Sequence, residues 1–266
     1  MNVPQIAGDP LRAPLPRPLQ VFQRLTGTAH YHFGYFDGGS QDLGRALDRL
    51  ALLDTERCDH DAPVLDAGCG LGGTTALLAD RGFQVVGIDP CLHSIRFAQA
   101  RTRPGARVRH VAARLEDYAP TSGRVFGTIL MIEVTQHFDC LGQALTLAGR
   151  VLRRGGRILV KDIFTRRRHP RERVPYHAHR ELDAAVAQAD LDVVSRCDLT
   201  ARVVDTLPLL RARIERGRSS PIPSSNGPSL HAELFELDAG LAALADAFRT
   251  GEIAYESLLL EGSGQP

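Results

Sequence analysis

Val64-Leu65-Asp66-Ala67-Gly68-Cys69-Gly70-Leu71-Gly72-Gly73 decides the fold. Residues 63–66 are short and apolar around one acid, which reads as a buried strand. Closely spaced glycines follow, then a helix over 74–80 that ends near Gly82. Glycines let the chain turn sharply and let a ligand approach the main chain. Taken literally, Gly68, Gly70 and Gly73 satisfy G-x-G-x-x-G, the dinucleotide-binding pattern. Asp66 changes that reading. A carboxylate two residues before the first glycine would repel a pyrophosphate docked at the helix N-terminus. It would welcome a ligand carrying an ammonium group and a sulfonium.

Outward from this turn, strands and helices alternate. Strands are predicted at 84–89, 107–112, 126–132, 157–163 and 191–197, with helices at 92–101, 141–152 and 180–189. This pattern predicts an α/β fold with a mostly parallel sheet and helices on both faces. Asp89 falls at the tip of the second strand, about 20 residues after the glycines, where open sheets place an acid for ribose hydroxyls. A late strand at 255–260 pairs with the sixth. The helices 203–218 and 231–250, flanking the Ser/Pro/Gly loop 219–229, are an insertion between those two strands. Upstream lie a helix over 41–54, the aromatic cluster Tyr31-His32-Phe33-Gly34-Tyr35-Phe36, and a loose proline-rich start over the first twenty residues. The expected organisation is an arm over 1–40 and one domain over 41–266, with a helical cap at about 200–250.

Composition narrows the function. With 43% hydrophobic and 24% charged residues, 266 residues can bury a full core. No apolar run is long enough for a membrane span, and residues 1–18 lack the apolar stretch of a signal peptide. A net charge of +1 argues against a long nucleic-acid track. The five cysteines are odd in number and form no C-x-x-C pair, which fits a reducing cytoplasm and no zinc or disulfide framework. His177-x-His179 lacks a convincing third ligand, so no metal is expected.

The stretches VLDAGCGLGG and VVGIDPCLHSIRFAQAR resemble the class I S-adenosylmethionine-dependent methyltransferase family. Residues 126–133 and VLRRGGRILVKD extend the resemblance, which covers about 41–260. It implies a Rossmann-like seven-stranded sheet whose final strand lies between the fifth and sixth. It also implies S-adenosyl-L-methionine as cofactor. Asp66, Gly68 and Gly70 would hold the methionine part, Asp89 both ribose hydroxyls, and Pro90 the adenosine. Ile132 and Glu133 would border the sulfonium. Where the family often has an acid for the adenine amino group, this chain has Arg114, which can only donate. Glu116 or Asp117 would take that part, and the Leu115 N–H would reach an adenine ring nitrogen. The 31–36 segment resembles one in tocopherol, sterol and sugar methyltransferases, so Tyr31 and Tyr35 would cover the cofactor and wall the substrate.

The expected function is methyl transfer to a small molecule of bacterial secondary metabolism. By resemblance to sugar and natural-product O-methyltransferases, His137 after strand four is the candidate base and Asp162 at the end of strand five its partner. The basic run 166–173 reads as a gate for an anionic substrate. Nucleic-acid substrates are disfavoured, because Glu133-Val134-Thr135-Gln136 stands where base-methylating relatives often carry N-P-P-[YF]. A homodimer is left open. The alternatives are an NAD-type oxidoreductase and a methyltransferase fold used for a non-methylating reaction.

Overall fold

The computed structural model describes residues 17–39, 41–123, 125–166, 176–219 and 227–263. Its strands are β1 (Val64–Ala67), β2 (Val85–Asp89), β3 (Val108–Ala112), β4 (Phe126–Ile132), β5 (Leu152–Thr165), β6 (Leu191–Asp198) and β7 (Ile253–Gly262). They form one seven-stranded sheet in the order β3-β2-β1-β4-β5-β7-β6. The first five pair in parallel, and β7 runs antiparallel to both β5 and β6. The helices are α1 (Arg17–Thr26), α2 (Leu43–Leu52), α3 (Gly73–Asp80), α4 (Leu92–Arg101), α5 (Leu115–Thr121), α6 (Leu141–Val151), α7 (His179–Gln188), α8 (Thr200–Val203), α9 (Thr206–Ser219) and α10 (Gly227–Arg249).

Every residue of β1 and β4 is buried, because helices cover both faces of the sheet. Edge strand β6 is mostly exposed, and a register shift between Val193 and Ser195 interrupts its pairing, which blunts the edge. Strand order reverses at β1, so a crevice opens beyond the C-terminal ends of β1 and β4.

Two apolar clusters flank that crevice. One packs Leu145 of α6 and Leu182 of α7 onto Ile129 and Met131 of β4. The other joins Val21 of α1, Leu47 and Leu50 of α2, Val203 of α8, Ile214 of α9 and Phe248 of α10 over Ile132, Ile163 and Tyr255. Leu47, Leu50, Val203 and Ile214 are fully buried, each contributing about 1.5–3 kcal/mol. The chain's single lysine, Lys161, lies inside and donates from Nζ to the Leu50 and Leu53 carbonyls, at 2.9 and 2.5 Å. It satisfies the end of α2, where a cation also meets the negative end of the helix dipole. Burial pulls its pKa down to about 8.

Several expectations are corrected. The helix expected at 203–218 is α9, which starts at Thr206 after the separate short helix α8, and Pro208 sits in the first turn of α9, where no N–H is needed. Strand five starts at Leu152 and runs through Gly155-Gly156, with Gly155 at φ 71° and a register shift against β4. An additional helix, α5, joins β3 to β4. Helix α1 begins inside the stretch expected to be loose. Most of the basic run 166–173 and of the loop 219–229 lies outside the described residues; Arg166 itself pairs with Asp198 at 2.6 Å. Among the described residues, no helix is long and apolar enough to cross a membrane.

Candidate active site

The glycine turn leaves β1 as the sequence predicts. Gly68 has φ 87°, and a Cβ there would lie 2.6 Å from Val134 Cγ2. Gly70 has φ 49° and nothing within 4 Å of a Cβ, so its bare backbone faces open space. That space is a cavity of about 190 Å³ between the turn, the tips of β2 and β4, and the segment Ala29–His32.

Asp66 lines this cavity and is only 2% exposed. Its Oδ2 is buried without a hydrogen-bond partner. Burial, and then the charge of Asp89, push its pKa up to about 7. A buried carboxylate oxygen without a partner is costly, so this atom calls for a donor. Asp89 lies across the same cavity, its Oδ2 accepting from the Gly70 N–H at 3.1 Å and its Oδ1 from the Cys91 N–H at 2.8 Å. Those bonds fix the carboxylate at the tip of β2. Burial still raises its pKa, opposed by those two N–H groups and by His137.

A second cavity, of about 110 Å³, adjoins the first and shares Gly68, Val134 and His137 with it. Its walls include Ile88, Pro90, Leu115 and Phe138, an apolar slot with Glu116 at its rim. Arg114 has a local role. Its guanidinium lies 3.6 Å from both Glu116 and Asp139.

Glu133 leaves β4 at φ 51°, a strained conformation for a non-glycine residue. Its Oε1 accepts from the Phe33 N–H at 2.6 Å and from the Tyr255 hydroxyl at 2.9 Å. Burial pushes its pKa up to about 8. Ile132 and Tyr31 line the same cavity, with Tyr31 edge-on to Phe22 at 4.9 Å. Tyr35 turns elsewhere. It packs on the cluster beneath the cap, and its N–H donates to Ala46.

His137 and Asp162 stand in different settings. His137 ends a one-turn 3-10 helix, Thr135–His137, and lines both cavities. Asp162 is 1% exposed; its Oδ2 accepts from the N–H and hydroxyl of Thr135, both at 2.8 Å, and its Oδ1 from the Ile163 N–H at 2.7 Å. Burial raises its pKa to about 6 against those bonds. No hydrogen bond joins it to His137 among the described residues; it holds the turn on which His137 stands. His177 supports the same turn from the other side, donating from Nε2 to the Thr135 carbonyl at 3.0 Å. His179 faces Glu256 at 2.9 Å.

Residues 65–160 match the family model described as a methyltransferase domain. The chain is similar to methyltransferase domains over that span, from β1 into β5. It is 34% identical over 150 residues to the methyltransferase GfsG of Streptomyces halstedii, covering 54% of each chain. It is 28% identical over 159 residues to the mitochondrial ubiquinone biosynthesis O-methyltransferase of Mus musculus, covering 55% of this chain and 43% of that one. The chain thus spans about half the length of the curated relatives it matches. A cyclopropane synthase of Mycobacterium tuberculosis shares the fold, with a TM-score of 0.75, 19% identity, and coverage of 90% of this chain and 93% of that one.

S-adenosylmethionine, the cofactor of such domains, fits the residues present. Its ammonium would meet the unpartnered Oδ2 of Asp66, its ribose Asp89, and its adenine the apolar slot. The cavity also draws on residues that sequence reading passed over. His30, His32 and Leu19 line the cavity, and Tyr255 and the Phe33 N–H hold Glu133. Only the alternation His30-Tyr31-His32 signalled any of this, since side chains two apart on an extended segment share a side.

Proposed function

We propose that this protein transfers the methyl group of S-adenosylmethionine to a small molecule. The observation that carries the proposal is the buried, unpartnered carboxylate of Asp66 beside the open backbone of Gly70 and the fixed carboxylate of Asp89. When bound, the cofactor supplies an activated methyl group on a sulfonium, so the protein's part is alignment and exclusion of water. Asp66 receives the ammonium, Asp89 the ribose hydroxyls, and Pro90, Leu115 and Glu116 border the adenine. Ile132 and Glu133 wall the methyl side. His137 takes the acceptor's proton from the cavity rim, and Asp162 acts through Thr135 to keep that turn in place. Of the arm expected over 1–40, the described residues 17–39 lie over the cofactor, and α8, α9 and α10 of the expected 200–250 form the substrate cap; the rest of the arm and residues 220–226 lie outside the described residues.

The finer reading is an acceptor from bacterial secondary metabolism, supported by the resemblance of His137 and Asp162 to a pair in sugar and natural-product O-methyltransferases. All five cysteines are free thiols, which supports a cytoplasmic setting. The basic run 166–173 supports an anionic acceptor, and KM should then rise with ionic strength. Gel filtration decides between monomer and homodimer.

The deciding experiment is a screen of candidate metabolites with methyl-labelled cofactor and product analysis. Label recovered in a product supports the reading. Turnover without label transfer favours a non-methylating reaction. For His137→Ala we expect kcat to fall about 10²- to 10⁴-fold with cofactor affinity nearly unchanged. A loss below about fivefold would mean that alignment alone carries the step.

A further inference from the structure

His30 and His32 are unused by the reading above, yet both are buried and both line the cofactor cavity. They belong to a chain of three contacts. His32 Nδ1 lies 2.7 Å from the Phe33 carbonyl, His32 Nε2 lies 2.9 Å from His30 Nδ1, and His30 Nε2 lies 3.0 Å from Asp48 Oδ1. The ends of this chain set its protons. A carbonyl only accepts, so His32 Nδ1 carries a hydrogen. Burial, followed by the charge of His30, keeps His32 neutral by lowering its pKa well below the usual value. Its Nε2 is therefore a lone pair, and His30 Nδ1 must donate to it. The Asp48 carboxylate only accepts, so His30 Nε2 carries a hydrogen as well. His30 is thus an imidazolium.

Its position gives that charge a use. A Cβ on Gly73, the first residue of α3, would lie 2.7 Å from His30 Nδ1, so the ring rests on the N-terminus of this eight-residue helix. There it adds to the positive end of the helix dipole. The same cavity holds the unpartnered Oδ2 of Asp66. One cavity therefore offers a cationic feature and an anionic one, the complement of an α-amino acid zwitterion. The other charged groups facing it are Asp89 from β2 and Glu133 from the end of β4; Lys161 of β5 acts on His32 from behind.

We propose that His30, held doubly protonated by Asp48 and His32, is the countercharge for the carboxylate of the cofactor's amino-acid part. This rests on S-adenosylmethionine being the cofactor. Both N–H groups of His30 are already engaged, so it acts through its charge rather than a direct hydrogen bond. Asp48 is half exposed and its charge is screened by water, so it only partly cancels the imidazolium.

The test compares two ligands by titration calorimetry: S-adenosylhomocysteine, which carries the zwitterion, and 5′-methylthioadenosine, which lacks it. His30→Gln should weaken S-adenosylhomocysteine about 5- to 30-fold. Asp48→Asn keeps an acceptor for His30 but removes the anion that retains its second proton, and should give a smaller loss. Methylthioadenosine affinity should stay within about twofold in both variants. That result also shows the variants to be folded. Equal weakening of both ligands would overturn the proposal, since the array would then serve packing alone. Unchanged affinity for S-adenosylhomocysteine would overturn it too. Wild-type protein that binds neither ligand would overturn the cofactor reading itself, and this proposal with it.

Discussion

Asp66, at the end of β1, and Asp162, near the end of β5, are equally buried, at 2% and 1% exposure, and oppositely served. Asp162 accepts three hydrogen bonds from Thr135 and Ile163, while one oxygen of Asp66 has no partner. The difference separates two uses of a buried acid. At the β4–β5 end the carboxylate builds a turn. At the β1–β2 end it is left unsatisfied inside a cavity, which stabilises nothing until a cation arrives. Sequence position alone does not distinguish them, because both acids stand at the ends of parallel strands above the same crevice.

The largest break in this comparison should come from Asp162→Ala. It strands the Thr135 N–H and hydroxyl inside the protein, and at about 1–3 kcal/mol per unsatisfied group the unfolding free energy should drop by roughly 3 kcal/mol or more. Urea denaturation reads this. A loss below about 1 kcal/mol would show that the turn does not depend on the acid.

Asp66→Asn should do the reverse. S-adenosylhomocysteine affinity should fall about 10- to 150-fold by calorimetry, the worth of a charge-assisted contact of about 1.5–3 kcal/mol. The ligand-free variant should melt above wild type at pH 8. The sign follows from linkage: the folded pKa of about 7 lies above the ordinary value of 3.8, so ionisation penalises the folded state. That penalty is absent below about pH 4 and complete above the folded pKa, so the two melting curves should converge as pH falls. A variant melting below wild type at pH 8 would mean that the carboxylate already has a partner.

A smaller effect sharpens the same point. The cofactor's ammonium needs Asp66 ionised, so wild-type affinity should rise about tenfold between pH 6 and pH 8. In Asp66→Asn that rise should vanish. The smallest expected change is at the rim. Arg114→Ala removes only long, half-exposed ion pairs, and both stability and cofactor affinity should move by less than about 1 kcal/mol. A large loss of affinity would instead give Arg114 a direct role at the adenine.

The parts of the site legible in the sequence share one property: they are local. Asp66, Gly68 and Gly70 fall within one turn, and Asp89 follows one helix and one strand later, so periodicity and spacing suffice to place them. Pro90 and Leu115 line the apolar slot beside the glycine turn. Tyr31 lines the cavity and Tyr35 does not, because the Tyr35 and Phe36 N–H groups tie that end of the segment to Ala46 of α2 and Arg202 of α8, and the sequence carries no marker of that docking. The partnership of His137 with Asp162 rests on a resemblance and on the placement of the two residues, one after strand four and the other at the end of neighbouring strand five. Strand adjacency sets main-chain spacing but not which donor a carboxylate meets first, and Thr135 lies nearer in the fold.

Composition, hydrophobic periodicity and spacing, read alone, determined the alternating strands and helices and the two acids around the glycine turn; the place of the last strand came from the family resemblance. These follow from backbone hydrogen bonding and burial within short windows of chain. Tertiary structure alone decided which polar groups meet across long separations. The Phe33 N–H reaches Glu133 across 100 residues, Tyr255 reaches it across 122, and Lys161 reaches the end of α2 across 111. It also left Asp66 without a partner while satisfying Asp162. A hydrogen bond depends on atoms coming within about 3 Å in a set direction, and no spacing along a chain encodes that before the sheet has formed and the helices have packed upon it.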